Sequence, residues 1–135
     1  LMSSKMYRLF ISHSWAYGDR YDRLIELIEN GGVAFYDHSV PQYDPIHTNG
    51  SDEELRDAIR AKMRGVSAVV VLAGVYASYS RWIKEEIEIA LEFGKPIIAV
   101  EYWGAQRTSR VVKNAADVVV RWQSASIAGA ITDYA

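Results

Sequence analysis

Six consecutive residues near the middle of the chain, Ala68-Val69-Val70-Val71-Leu72-Ala73, carry no polar side chain. Successive side chains of a strand point to opposite faces, so a run that is apolar and β-branched throughout marks a strand buried on both sides. Strands of that kind belong to the centre of parallel sheets, and parallel neighbours need long crossovers, usually helical. The rest of the sequence must therefore supply short strands alternating with helices.

It does. Tyr7 to Ser12 reads as a first strand, and Tyr17, Tyr21, Leu24, Ile25 and Ile28 then recur at helical spacing before Asn30-Gly31-Gly32 ends the run. Val33 to Asp37 reads as the second strand. Residues 38–50 hold Pro41, Pro45 and Gly50 without periodicity, which predicts a long loop that is mobile or shaped by its neighbours. Ser51-Asp52-Glu53-Glu54 fits a capping box, followed by a helix with Leu55, Ile59 and Met63 inward and a stop at Gly65. Beyond the central run, a helix is predicted from about Ser80 to Phe93, a fourth strand over Pro96 to Glu101 and a short helix over Arg110 to Ala115. Val118 to Trp122 makes the fifth strand, and Ile127 to Ile131 starts a last helix. The pattern predicts one α/β domain over residues 1–135, flavodoxin-like and doubly wound. Its sheet has five parallel strands in the order 2-1-3-4-5, with helices on both faces. Residues 1–6 read as a disordered or cloning-derived leader without an apolar signal core.

Composition narrows the chemistry. With 135 residues the chain can bury a core without disulfides or metals, and with no cysteine it has no thiolate nucleophile. No apolar run approaches the roughly 20 residues of a membrane span. The formal net charge is −2 and the 15 basic residues are scattered, so neither nucleic acid nor membrane is expected as a partner. A cytoplasmic location and partners that are small molecules or proteins follow as expectations. No residues show metal-ligand spacing, and neither a P-loop nor a GxGxxG is present. Ser12-His13-Ser14 offers no acidic cluster for a phosphoacceptor, and Trp15-Ala16-Tyr17 is a poor flavin phosphate loop.

One carboxylate is out of place. At about 100° per residue, Trp82, Ile83, Ile87, Ile89, Ala90, Leu91 and Phe93 share a broad apolar arc, and Lys84, Glu85, Glu88 and Glu92 lie opposite. Glu86 falls inside the apolar arc, where an unpaired charge is costly. Either it sits at the rim of the core, held by a backbone amide or an arginine, or it faces a crevice from the first turns of its helix, where the dipole favours its anion. Glu85 reads as an ordinary surface residue paired with Arg81 at i−4.

In doubly wound sheets ligands bind beyond the carboxyl ends of the strands. That rule gathers Ser12-His13-Ser14-Trp15, Asp37-His38, Ala73-Gly74 and the helix beginning near Ser80 around one crevice. His13 suits a phosphate or ribose hydroxyl, or is a structural group. Ser12 and Ser14 serve as ligand contacts or as helix caps. Trp82, one turn before Glu86, is core or a stacking wall for an aromatic ring of a ligand. Asp44 and His47 have no assignable place, while Trp103, Trp122 and Arg107 read as structural.

These residues resemble a known family. Phe10-Ile11-Ser12-His13-Ser14-Trp15 is similar to the first-strand motif of TIR-like domains, and Ser80-Arg81-Trp82-Ile83-Lys84-Glu85-Glu86-Ile87 to their Ser-x-Trp-x-x-x-Glu helix. Trp103 to Ser109, and Ala116-Asp117 through Trp122 to Ile127, narrow the resemblance to the TIR-like signalling proteins of Thoeris antiphage defence. Tyr102 stands where proline is expected before Trp-Gly, and Ser14-Trp15 where many animal and plant TIR domains carry basic residues.

The resemblance implies an NAD glycohydrolase or ADP-ribosyl cyclase. Such an enzyme cleaves NAD at the nicotinamide–ribose bond and cyclises ADP-ribose into a diffusible nucleotide signal for a partner effector. NAD is then substrate rather than cofactor, and a homo-oligomer is allowed. Glu86 occupies the position of the catalytic glutamate, with Ser12, His13, Ser14, Asp37, Ser80 and Trp82 as the substrate-binding set. The alternative is a non-catalytic TIR-like interaction module, as in adaptor TIR domains.

Overall fold

A computed structural model describes residues 6–12, 18–38, 52–73, 81–101 and 110–135, without the side chains of 18–20, 52, 55, 73, 81 and 82. The sites expected at His13, Ser14 and Ser80, the Trp82 side chain, the capping Ser51 and the loop segment 39–50 lie outside the described residues. Strands and helices alternate along the described chain: β1 (Tyr7–Ser12), α1 (Gly18–Asn30), β2 (Phe35–Asp37), α2 (Asp52–Met63), β3 (Ala68–Ala73), α3 (Arg81–Glu92), β4 (Ile97–Glu101), α4 (Arg110–Ala115), β5 (Val118–Val120) and α5 (Ser124–Tyr134).

All five strands pair in parallel in the order β2-β1-β3-β4-β5, which is the flavodoxin-like order. The apolar run of β3 lies between β1 and β4, as its composition requires. Its alternate side chains feed two cores. Val69 and Val71 join Phe10, Ile97 and Ala99 beneath α2, α3 and α4, whereas Ala68 and Val70 join Leu9, Ile11, Ile98 and Val100 beneath α1 and α5.

Two strand boundaries differ from the sequence reading. β2 begins at Phe35, the register partner of Tyr7, rather than at Val33. β5 stops at Val120, opposite Val100, and not at Trp122. The chain then turns, with Gln123 N–H donating to the Arg121 carbonyl at 2.8 Å, and Trp122 packs half-buried on the α1–α5 core.

Helix α3 ends as its sequence suggests. Gly94 adopts φ 65°, its N–H donates to the Leu91 carbonyl at 3.1 Å, and Lys95 N–H donates to that of Ala90 at 2.9 Å. Those two bonds form a Schellman cap. The apolar face of α3 is narrower than the wheel suggests: Ile83, Ile87, Ile89 and Ala90 are buried, but Leu91 is 55% exposed. Leu91 lies about 140° from Glu86 in projection, past the edge of the stripe that meets the sheet. No described helix is long and apolar enough to cross a membrane.

Candidate functional site

Along β1, Leu9 and Ile11 point to the α1–α5 side, so Phe10 and Ser12 point to the side of α2, α3 and α4. Ser12 is the last residue of the strand and lies in register with Val71 of β3. The apolar row on this face thus ends in a hydroxyl at the carboxyl edge of the sheet. Between β1 and β3 the chain reverses its direction of winding, and that switch point is where an open α/β sheet forms a ligand crevice.

Glu86 reaches this point from the second turn of α3. Ile83 and Ile87 on either side of it are buried in the core, which fixes the rotation of the helix and turns Glu86 inward with them. The Ser12 hydroxyl donates to Glu86 Oε1 at 2.9 Å, across 74 residues of sequence. The two side chains are 0% and 7% exposed and are the buried polar groups among the described core residues.

Burial raises the Glu86 carboxyl to about 8, and the Ser12 hydrogen bond pulls in the opposite direction. The expected support from the helix dipole does not prevail. Glu86 is the sixth residue of α3, and the dipole acts mainly within the first turn. Desolvation therefore dominates, and near neutral pH the carboxyl is mostly protonated. Among the described residues the partner of this carboxyl is neither an arginine nor a backbone amide, but the Ser12 hydroxyl at the carboxyl edge of the sheet.

Glu85 turns the other way. It accepts both Nε and Nη2 of Arg56 on α2 at 2.8 Å each, a bidentate pair that corrects its reading as an ordinary surface residue. Seven residues on, Glu92 Oε2 accepts Arg60 Nε at 3.2 Å, and Arg60 Nη1 also reaches Asp57 Oδ1 at 3.0 Å. Two ion-pair contacts thus tie α2 to α3 beside Glu86. Sequence reasoning missed this clamp because its partners lie 29 and 32 residues apart, on helices whose mutual rotation no local pattern fixes.

Asp37 ends β2 opposite Leu9, so it belongs to the α1–α5 side and accepts a hydrogen bond from Tyr21 of α1. The structure does not bring it to the face that carries Ser12 and Glu86. His38, the next residue, falls on that face by alternation.

The fold is shared with solved structures of low sequence identity. One is a CMP N-glycosidase of Clostridium botulinum, BcmB, with TM-score 0.55 and 15% identity, covering 93% of this chain and 98% of that one. A β-glucosidase from Listeria innocua gives TM-score 0.53 at 13% identity, and one from Erythrobacter marinus 0.52 at 15%. They cover 98% and 99% of this chain, which spans only 22% and 25% of theirs. These likenesses speak for the fold alone. No curated protein matches the sequence. The family model of the TIR-like domain of Thoeris protein ThsB matches residues 10–107, a span that contains both Ser12 and Glu86. The chain belongs to the Thoeris ThsB TIR-like domain family.

Proposed function

We propose that this protein cleaves NAD at the nicotinamide–ribose bond, with Glu86 as the catalytic carboxylate, and closes the ADP-ribose part into a cyclic signal for a defence effector. The observation that carries the reading is a buried glutamate at the β1–β3 switch point whose bonded partner is a neutral hydroxyl. Among the described residues no cation balances this carboxyl, and oxidised nicotinamide brings a positive charge. As the pyridinium enters, the opposite charge lowers the carboxyl's pKa and the proton leaves. The Ser12 hydrogen bond favours the same ionised form.

The bond from C1′ to the ring nitrogen then breaks, and its electron pair leaves with nicotinamide, which becomes neutral. Positive charge moves onto the ribose as an oxocarbenium-like centre, which the Glu86 anion stabilises electrostatically. A hydroxyl or ring nitrogen of the adenosine part attacks C1′, a hydroxyl losing its proton as it does so. Tethered within one molecule, it has a high effective concentration against water. A fold that also serves a CMP N-glycosidase is compatible with cleavage at an N-glycosidic carbon.

The test is incubation of purified wild-type and Glu86→Gln protein with NAD, with and without extract from phage-infected cells, followed by chromatography of nicotinamide and the ADP-ribose products. Nicotinamide and a cyclic product from wild type alone support the proposal. Neither product under either condition would leave the chain a non-catalytic interaction module.

A further inference from the structure

His38 follows β2 directly, and its N–H donates to the Leu9 carbonyl at 2.8 Å, so the β1–β2 ladder continues by one residue. Leu9 is the register partner of Asp37. Alternation then sets His38 beside Phe10, on the face shared by Ser12 and Glu86. Two residues of rise and one interstrand step separate the Cα atoms of His38 and Ser12, roughly 8 Å.

The imidazole is half-buried, and its Nε2 is closed off from solvent with no hydrogen-bond partner among the described residues. Among the described residues it is the side-chain polar atom in that condition. An unpaired buried nitrogen costs free energy, so its persistence needs a reason. A group that receives its partner only with the ligand supplies one.

We infer that His38 is a substrate-binding residue, whose Nε2 hydrogen-bonds an oxygen of the sugar–phosphate chain of the bound dinucleotide. The inference rests on the reading of the crevice as an NAD site. With the nicotinamide ribose at Glu86, a group one strand toward β2 lies within reach of the hydroxyls and phosphate of the same nucleotide. Imidazole suits either, since its nitrogen donates when protonated and accepts when bare.

The experiment titrates NAD, ADP-ribose and nicotinamide calorimetrically into Glu86→Gln protein, which holds NAD without turnover, and into the same protein carrying His38→Leu or His38→Gln. Ligand-free melts of each variant and a nicotinamide-release assay of the wild type accompany it. The expected result is a Kd for NAD and ADP-ribose raised about tenfold or more by His38→Leu. His38→Gln should recover part of the loss, nicotinamide binding should stay unchanged, and the melting temperature should hold or rise as the unpaired nitrogen is removed. Unchanged NAD and ADP-ribose binding in His38→Leu overturns the inference, whether or not the melting temperature falls. If the wild type releases nicotinamide, that result removes the inference alone. If the wild type releases none and the Glu86→Gln parent binds neither NAD nor ADP-ribose, the NAD reading falls and this inference with it.

Discussion

A carboxyl lifted from 4.5 to about 8 leaves a signature on stability as well as on activity. Between those values the folded protein holds a proton that the unfolded chain has released, so stability must fall as pH rises through that window and level off on either side. One pKa unit corresponds to roughly 1.4 kcal/mol, and the accumulated loss is on the order of 5 kcal/mol. Glu86→Gln keeps the shape and removes the titration. Urea unfolding from pH 4 to 9 should show a flatter profile for the variant and a stability above wild type near pH 9, while nicotinamide release drops by about a hundredfold or more. Equal pH slopes in both proteins would mean that Glu86 is not buried as described. Ser12→Ala supplies the complementary case. Without the hydroxyl that donates to Oε1, the carboxyl is harder to ionise, so the pH–rate profile of kcat/KM should move to higher pH, with the largest rate loss near neutrality. A uniform loss at every pH would assign Ser12 to substrate contact alone.

Helix α3 holds Glu86 in place from both sides, through the buried isoleucines of its inner face and the Arg56–Glu85 pair on its flank. Arg56→Leu leaves the part-buried Glu85 carboxylate without its bidentate partner and frees α3 to rotate against α2. A stability loss of about 1–3 kcal/mol is expected. kcat should fall further than the unfolded fraction explains, with KM little changed, in steady-state assays paired with thermal melts; kcat that tracks the folded fraction would make the clamp purely structural. Glu85→Gln, which retains one acceptor for Arg56, should be milder on both counts. The elements themselves were legible in the sequence because each had a local cause: the β-branched run of β3, the spacing in α1 and α3, and Gly94 after α3. Glu86 was legible for the same reason, as a charge inside an apolar stripe. Its partner was not, since the Ser12 bond closes across 74 residues and depends on which way β1 alternates. The same alternation sends Asp37 to the far face, where the sequence reading had grouped it with the crevice only because it ends a strand. The orphaned nitrogen of His38 is a tertiary fact, for absence of a partner leaves no mark on a sequence.

The molecule divides along its sheet into two layers with different duties. The α2–α3–α4 side carries Glu86, Ser12 and the interhelical clamp, whereas the described α1–α5 side is apolar packing anchored by Leu24, Ile28, Ile127 and Ile131. The two helices of that second layer meet at Gly31, where a Cβ would stand 2.7 Å from the Ala128 Cβ and 3.0 Å from the Ser124 carbonyl oxygen. Neither neighbour is the end of a flexible side chain, so Gly31→Ala must push α5 away from α1. Overpacking of this kind costs about 1–3 kcal/mol, offset by at most about 1 kcal/mol from the stiffer unfolded chain. The expected outcome is a melting temperature several degrees lower. Because the sheet separates this contact from Glu86, nicotinamide release per folded molecule should stay at the wild-type level, and so should its pH dependence. Stability and turnover measured on the same preparation decide the point. A catalytic loss exceeding the unfolded fraction would show that α5 transmits its position through β3 and β4 to the crevice, and the two layers would then have to be treated as one mechanical unit.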